Sequence, residues 1–170
     1  RVLNLVIEMG GTKINFFLIE RDVTFSKYSV PTTNPDDFKK YVVSKFSEAS
    51  ITKIIFACFG PISLSGHNYG EILQTPKKGW QNCNVYSWLK DRVRKDILLT
   101  TDVTLPALGS IKKYNLKDKF FSYITVGTGI GGCNVFKGTV LQNEMHSELG
   151  HSFLGHSKDS CCEYHNHCFE

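Results

Sequence analysis

The sequence predicts an α/β protein in which a first domain with the order βββαβαβα is followed by a second, incomplete domain of the same kind. Three observations predict this class. The chain opens with three β-rich runs, helical and strand-like apolar patterns then alternate, and strands resume after the polar connector 112–119. The predicted domains are therefore residues 1–114 and 115–170.

The three opening runs are rich in β-branched and aromatic residues, and they cover residues 2–8, 13–20 and 23–30. Gly10-Gly11 separates the first two runs, and Arg21-Asp22 separates the last two. Such short turns between strand-like runs predict a three-stranded meander.

Capping residues predict where the helices begin. Asn34 can cap a first helix, and Pro35 suits its first position. Asn84 caps a second helix in the same way, and a third begins near Thr104. The remaining elements are strands, predicted at residues 53–58, 96–101, 120–126, 133–136 and 139–141, with a hairpin turn at Lys137-Gly138 before the last one.

The composition is that of a globular protein, with 170 residues, 41% hydrophobic and 21% charged, and a formal net charge of +4. The basic residues are scattered and are not interleaved with aromatic residues, which argues against a nucleic-acid partner. No apolar run approaches the roughly 18 residues of a membrane span. We therefore predict a cytoplasmic protein with no membrane partner.

Two glycine-rich loops are candidate phosphate sites. Gly127, Gly129 and Gly132 match the spacing of a dinucleotide fingerprint, but strand-like sequence follows where that fingerprint requires a helix. A Rossmann site is therefore disfavoured. The other loop, Gly10-Gly11-Thr12-Lys13, follows the first strand. Together the loops could hold one polyphosphate through backbone amides, although each loop alone fits a tight hairpin turn better.

Asp102 directly follows the apolar strand 96–101, so its carboxylate is expected at the carboxyl edge of the sheet, where open α/β folds bind ligands. A carboxylate at that edge can act as a general base that accepts the proton of a sugar hydroxyl. Asp is also a common N-cap of helices, and this alternative stays open.

Residues 161–170 contain three cysteines and two histidines. Cys162, His165 and Cys168 are separated by two residues each, and His151 upstream completes a Cys2His2 set typical of structural zinc. Further candidate ligands are Cys161, His146, His156 and His167. The alternatives are a metal-free polar loop and, less favoured, a disulfide framework.

Seven segments, taken in order, resemble motifs of the ROK family of sugar kinases, most closely its bacterial-type fructokinase branch. They are IEMGGTK, CFGPISL, YGEILQTPKKGW, TDVTLPALG, VGTGIGG, HSELGH and CEYHNHCFE, and they run from about Leu5 to Glu170. The departures include Thr104, where the branch has Asn, and Cys133, where it has Gly.

The resemblance implies an actin/hexokinase-like (ribonuclease H-like) fold and transfer of the γ-phosphate of ATP to a hexose, D-fructose, with Asp102 as the general base. It implies a structural Zn²⁺ held by His151, Cys162, His165 and Cys168, and Mg²⁺ bound with ATP. The implied ATP and phosphate site comprises Glu8, Gly10, Gly11, Thr12, Lys13, Gly127, Thr128, Gly129, Gly131 and Gly132. The implied sugar site comprises Gly60, Pro61, Thr101, Asp102, Glu148, His151 and Glu170.

Chains of this family continue beyond the point where this sequence stops, so two alternatives to an active kinase stay open. One is a non-catalytic, truncated relative that binds sugar and zinc. The other is a folded fragment in which zinc is purely structural. Hexose and ATP are the expected partners, and a homodimer is retained as a candidate assembly.

Overall fold

Two β-sheets, each begun by an antiparallel meander, form the framework of the described part of the chain. The computed structural model describes residues 3–21, 23–45, 51–92, 96–127, 129–141 and 148–152. The strands are β1 (Leu3–Met9), β2 (Lys13–Glu20), β3 (Val23–Pro31), β4 (Ile51–Cys58), β5 (Asp96–Thr101), β6 (Phe120–Val126), β7 (Ile130–Phe136) and β8 (Thr139–Leu141). The helices are α1 (Pro35–Lys45), α2 (Val85–Arg92) and α3 (Thr104–Tyr114), and Leu149–His151 forms a 3-10 turn.

The first sheet has five strands in the order β3-β2-β1-β4-β5. Strands β1, β2 and β3 pair antiparallel, as expected for a meander, whereas β4 and β5 lie parallel to β1. Helix α1 covers the sheet with Phe38, whose ring stacks on Phe56 of β4 at 5.8 Å between centroids and also contacts Trp80. All three side chains are buried, so they form the centre of the first core.

The predicted helix starts are confirmed by their capping hydrogen bonds. The Asn34 side-chain oxygen accepts the Asp37 N–H at 3.0 Å, and the Asn84 side-chain oxygen accepts the Ser87 N–H at 2.8 Å. In each case a side chain satisfies an N–H of the first turn, which has no partner within the helix.

The second sheet has three strands in the order β6-β7-β8, all antiparallel. Lys137 and Gly138 both have positive φ, as the predicted tight hairpin turn between β7 and β8 requires. Strand β7 begins at Ile130, earlier than the predicted start at residue 133, because Val126 pairs with Ile130 directly across the glycine turn.

The chain divides into two compact units between Asp102 and Val103. Helix α3 therefore belongs to the second unit, where Val103 and Ala107 form a buried cluster with Cys133 and Val135 of β7. In the predicted division into residues 1–114 and 115–170, this helix belongs to the first domain. Within the described ranges, no helix is long and apolar enough to cross a membrane.

Candidate active site

The described candidate residues fall into two groups, one in each unit. The first unit contains Glu8, Gly10, Gly11, Thr12, Lys13, Gly60, Pro61, Thr101 and Asp102, and the second contains Gly127, Gly129, Gly131, Gly132, Glu148 and His151. Thr128, Cys162, His165, Cys168 and Glu170 lie outside the described residues.

The candidates of the first unit lie at one edge of its sheet. Strands β1, β4 and β5 are parallel, so their carboxyl ends reach the same edge. The first glycine loop follows β1, Gly60-Pro61 follows β4, and Asp102 follows β5. Beyond the strand ends, the Phe59 N–H donates to the Met9 carbonyl at 2.7 Å and the Asp102 N–H donates to the Cys58 carbonyl at 3.1 Å. The sheet pairing thus continues into the candidate site.

In the first glycine loop, three successive carbonyl groups each accept a hydrogen bond. The Thr32 hydroxyl donates to the Gly10 carbonyl at 2.8 Å, the Lys77 ammonium donates to the Gly11 carbonyl, and the Thr32 N–H donates to the Thr12 carbonyl at 2.8 Å. A Cβ built at Gly11 would meet nothing within 4 Å, so the space beside this residue is open to a ligand.

Glu8 lies on β1 just before the loop, and a chain of side-chain hydrogen bonds orients its carboxylate. Asn15, its register partner on β2, donates from Nδ2 to Glu8 Oε2 at 2.9 Å. Ser29, the partner of Asn15 on β3, donates from Oγ to Asn15 Oδ1 at 2.6 Å. A carboxylate oriented in this way is suited to the neighbourhood of a hard cation that accompanies phosphate groups.

Asp102 is partly exposed at the end of β5, next to Thr101, which is buried. The N-cap position of α3 is Val103, and Val103 makes no side-chain capping hydrogen bond. Asp102 thus directly precedes the N-cap position, and its role as a general base stays a prediction. Burial raises the pKa of the Cys58 thiol well above its ordinary value, and the Asp102 carboxylate adds to that rise, so Cys58 is a neutral thiol at physiological pH.

The long segment between β4 and α2 begins with a cis peptide bond between Gly60 and Pro61. The Pro61 carbonyl accepts the Leu73 N–H at 2.8 Å, which folds the segment back on itself. Farther along, the buried Trp80 ring donates from Nε1 to the Thr33 carbonyl at 3.0 Å. The segment is thus attached to the connection between β3 and α1.

The second glycine loop forms a hairpin between β6 and β7. Its described part is closed by the Gly127 N–H, which donates to the Gly129 carbonyl at 2.9 Å. Strand β7, rather than a helix, follows the glycines. A Rossmann arrangement is therefore excluded at this loop, as expected from the sequence.

The structure places Gly131 and Gly132 on β7, where both are needed for packing within the second unit. A Cβ at Gly131 would lie 2.8 Å from Val103 Cγ1, and one at Gly132 would lie 2.6 Å from the Tyr123 carbonyl oxygen. The next residue, Cys133, tolerates a side chain because its thiol points into the buried cluster and donates to the Val103 carbonyl at 3.7 Å. Strand β7 thus lies too close to neighbouring atoms for a side chain at Gly131 and Gly132, but not at Cys133.

Glu148 precedes the 3-10 turn of the second unit, and His151 is its last residue. His151 Nε2 lies 3.6 Å from Glu148 Oε2, and the His151 N–H donates to the Glu148 carbonyl at 3.0 Å. Gly150 between them is buried, and a Cβ built there would overlap the Ile130 carbonyl oxygen. The absence of a side chain at Gly150 therefore lets the turn lie directly on β7 and hold both candidate residues beside it.

Three residues near these loops were not identified from the sequence: Asn15, Lys77 and Gly150. Asn15 is detectable as a polar residue inside an otherwise apolar strand, where Asn is uncommon. Lys77 gives no local signal, because its contact with Gly11 spans 66 positions. Gly150 is visible as a glycine in the HSELGH segment, but only the structure shows what it packs against.

Comparison with known proteins assigns the family. The model of the ROK family matches residues 4–170. A fructokinase from Lactococcus lactis subsp. cremoris is 36% identical, with 96% of this chain and 59% of that protein covered. A putative fructokinase from Bacillus subtilis (strain 168) is 34% identical, with 96% of this chain and 58% of that protein covered. The chain thus spans less than two thirds of the length of these relatives.

Solved structures share the fold at lower identity. A ROK family glucokinase from Streptomyces griseus in complex with glucose and AMPPNP has a TM-score of 0.75 and 20% identity, with 90% of this chain and 51% of that chain covered. A ROK family transcriptional regulator, a homologue of the E. coli MLC protein, also has a TM-score of 0.75, with 18% identity and coverage of 98% and 45%. The predicted actin/hexokinase-like fold is confirmed. Because the family model matches nearly the whole sequence, this chain belongs to the ROK family.

Proposed function

We propose that the protein is an ATP-dependent sugar kinase that converts D-fructose to fructose 6-phosphate. The observation that carries this proposal is the arrangement at one edge of the first sheet, where the parallel strands end. The first glycine loop follows β1, Asp102 follows β5, and the oriented Glu8 carboxylate lies on β1 just before the loop. The names of the fructokinase relatives support fructose as the hexose.

In the proposed reaction, Asp102 accepts the proton of the sugar hydroxyl as that oxygen attacks the γ-phosphorus of ATP. The bond between the γ-phosphorus and the bridging oxygen breaks, and ADP leaves. The two glycine loops bind the phosphates through backbone N–H groups, and Glu8 lies near the cation. Mg²⁺ bound with ATP supplies charge neutralisation on the phosphate oxygens. Positioning and electrostatic stabilisation account for most of the rate enhancement in phosphoryl transfer.

We propose that a structural zinc ion orders the end of the chain, held by His151, Cys162, His165 and Cys168. Thiolates and imidazoles are the donors that structural zinc sites use, so the donor set fits this metal. His151, Glu148 and Glu170 then bind sugar hydroxyls, together with Gly60, Pro61 and Thr101. The cytoplasmic location and the homodimer stay predictions.

A second candidate is a non-catalytic protein that binds sugar and zinc. The observation that favours it is the similarity to the regulator, which shows that this fold is not confined to kinases.

The test is an assay of ADP formation with MgATP and fructose, glucose or mannose, using the whole gene product. We expect the highest kcat/KM with fructose. Calorimetric titration with fructose separates the outcomes. Sugar binding without turnover would favour the second candidate, and the absence of both would contradict both candidates.

A further inference from the structure

We propose that Lys77 is a positioning residue for the first glycine loop: by holding the Gly11 carbonyl, it directs the Thr12 N–H toward bound phosphate. This inference deepens the proposed function and rests on the phosphate role of that loop. Lys77 is half-buried, and its ammonium donates to the Gly11 carbonyl oxygen.

The geometry of the peptide bond connects this contact to phosphate binding. In a trans peptide, the C=O and the following N–H point in opposite directions. A donor that holds the Gly11 carbonyl on one side of the loop therefore turns the Thr12 N–H to the other side. The two bonds from Thr32, to the Gly10 and Thr12 carbonyls, orient the N–H groups of Gly11 and Lys13 by the same rule. Lys77 thus controls the central one of three successive peptide units.

Of the three peptide units, the one between Gly11 and Thr12 depends most on an external contact for its orientation. It follows two consecutive glycines, and glycine readily adopts backbone angles that other residues avoid. Without Lys77, rotation of the unit would turn the Gly11 carbonyl toward the phosphate, and its negative end would repel phosphate oxygens. A charge-assisted hydrogen bond from an ammonium group opposes that rotation more strongly than a neutral donor would.

The backbone around Lys77 is itself held in place. The Lys77 N–H donates to the Thr75 hydroxyl at 3.3 Å, and the Lys77 carbonyl accepts the Trp80 N–H at 3.2 Å. The buried Trp80 ring in turn donates to the Thr33 carbonyl. A lysine whose backbone is fixed loses less conformational entropy when its ammonium is immobilised than one on a mobile loop.

The test compares Lys77→Met with Lys78→Met and Lys77→Arg. Lys78 is the adjacent, exposed lysine, so Lys78→Met removes the same charge without touching the Gly11 contact. Amide chemical shifts measure the affinity for tripolyphosphate. Relaxation dispersion without ligand measures slow conformational exchange at the Gly11 and Thr12 amides. Steady-state kinetics measure the KM values for ATP and fructose. Circular dichroism checks that each variant is folded.

We expect Lys77→Met to weaken tripolyphosphate binding and raise the KM for ATP about tenfold, the loss typical of one charge-assisted hydrogen bond. It should introduce slow exchange at Gly11 and Thr12 and leave the KM for fructose within about twofold, since a rise in the KM of one substrate alone indicates lost binding of that substrate. Lys78→Met should resemble the parental protein, and Lys77→Arg should restore most of the affinity.

Equal effects of the two Met variants, or unchanged binding in Lys77→Met, would overturn the role of Lys77 while the kinase proposal stands. If the parental protein binds tripolyphosphate but transfers no phosphate, the kinase proposal fails and the binding data still decide on Lys77. If it binds no tripolyphosphate, the inference falls with the phosphate role of the loop.

Discussion

The Asn15 side-chain amide holds the Glu8 carboxylate through a 2.9 Å hydrogen bond, and the Ser29 hydroxyl fixes that amide at 2.6 Å. The three residues are register partners on β1, β2 and β3. The orientation of the carboxylate is therefore determined by the sheet and does not depend on the conformation of the glycine loop.

Replacing Asn15 by Ala should destabilise the protein by about 1–3 kcal/mol, because it removes both hydrogen bonds of a buried amide. It should also raise the KM for MgATP, since the Glu8 carboxylate loses its orienting donor. Urea unfolding and steady-state kinetics measure the two effects. Ser29→Ala, one hydrogen bond farther from Glu8, is the control and should change the KM less. The same KM in parental protein and Asn15→Ala would show that this orientation does not matter for nucleotide binding.

Replacing Asp102 by Asn should reduce kcat by roughly 10²–10⁴-fold, because the amide keeps the shape of the carboxylate but cannot accept the proton. Fructose affinity, measured by calorimetry, should change little. Turnover at the parental rate would exclude Asp102 as the general base. Parallel loss of sugar binding would instead indicate a binding role.

The free energy of unfolding should fall as pH rises above about 8.5, the ordinary pKa of a thiol. In the folded state, burial raises the pKa of Cys58 well above its usual value, with a further contribution from Asp102. The unfolded chain therefore releases this proton first, so ionisation favours unfolding. For Cys58 alone the loss at pH 9.5 is at most about 1.4 kcal/mol relative to neutral pH.

The matched variant for this pH dependence is Cys58→Ala, which has no thiol to ionise at that position. The difference in free energy of unfolding between this variant and the parental protein, measured with denaturant, should be smaller at pH 9.5 than at pH 7, by up to that amount. A deficit that is constant with pH would contradict the role of the buried thiol.

Replacing Gly150 by Ala should destabilise the second unit by about 1–3 kcal/mol, because the new methyl group would overlap the Ile130 carbonyl. Gly109→Ala is a matched control: a Cβ at this position of α3 meets nothing within 4 Å. Ala is favoured over Gly inside a helix, so this control should be neutral or stabilising by up to about 1 kcal/mol. Thermal unfolding compares the two, and equal melting temperatures would show that the turn relaxes away from β7.

The purified protein should contain about one zinc ion per chain, because four thiolate and imidazole donors satisfy tetrahedral coordination. Elemental analysis without chelators measures the stoichiometry. Chelator treatment should lower the melting temperature, and added zinc should restore it. A metal content near zero, with folding unaffected by chelator, would contradict the site.

The sequence was sufficient for features that depend on neighbouring residues. The strands, the caps at Asn34 and Asn84 and the hairpin at Lys137-Gly138 follow from local propensity and turn chemistry, and the structure confirms them. The contact of Lys77 with Gly11 depends on which distant segments meet, and no periodic pattern encodes that. The contact of Glu8 with Asn15 depends on the register of the β1–β2 pair. That α3 packs with the second sheet did not follow from the sequence for a related reason: the apolar spacing of a helix predicts a buried face but does not identify the surface that covers it.

Trp80 gives the long segment between β4 and α2 an optical reporter. The sequence has two tryptophans, and Trp80 is fully buried where this segment meets the Thr33 carbonyl, whereas Trp88 is partly exposed with the Lys39 ammonium 4.1 Å from its ring centroid. Replacing Trp88 by Phe would leave emission that originates from Trp80 alone. A red shift of that emission would then signal detachment of the segment from the β3–α1 connection, in a time-resolved measurement that needs no added label.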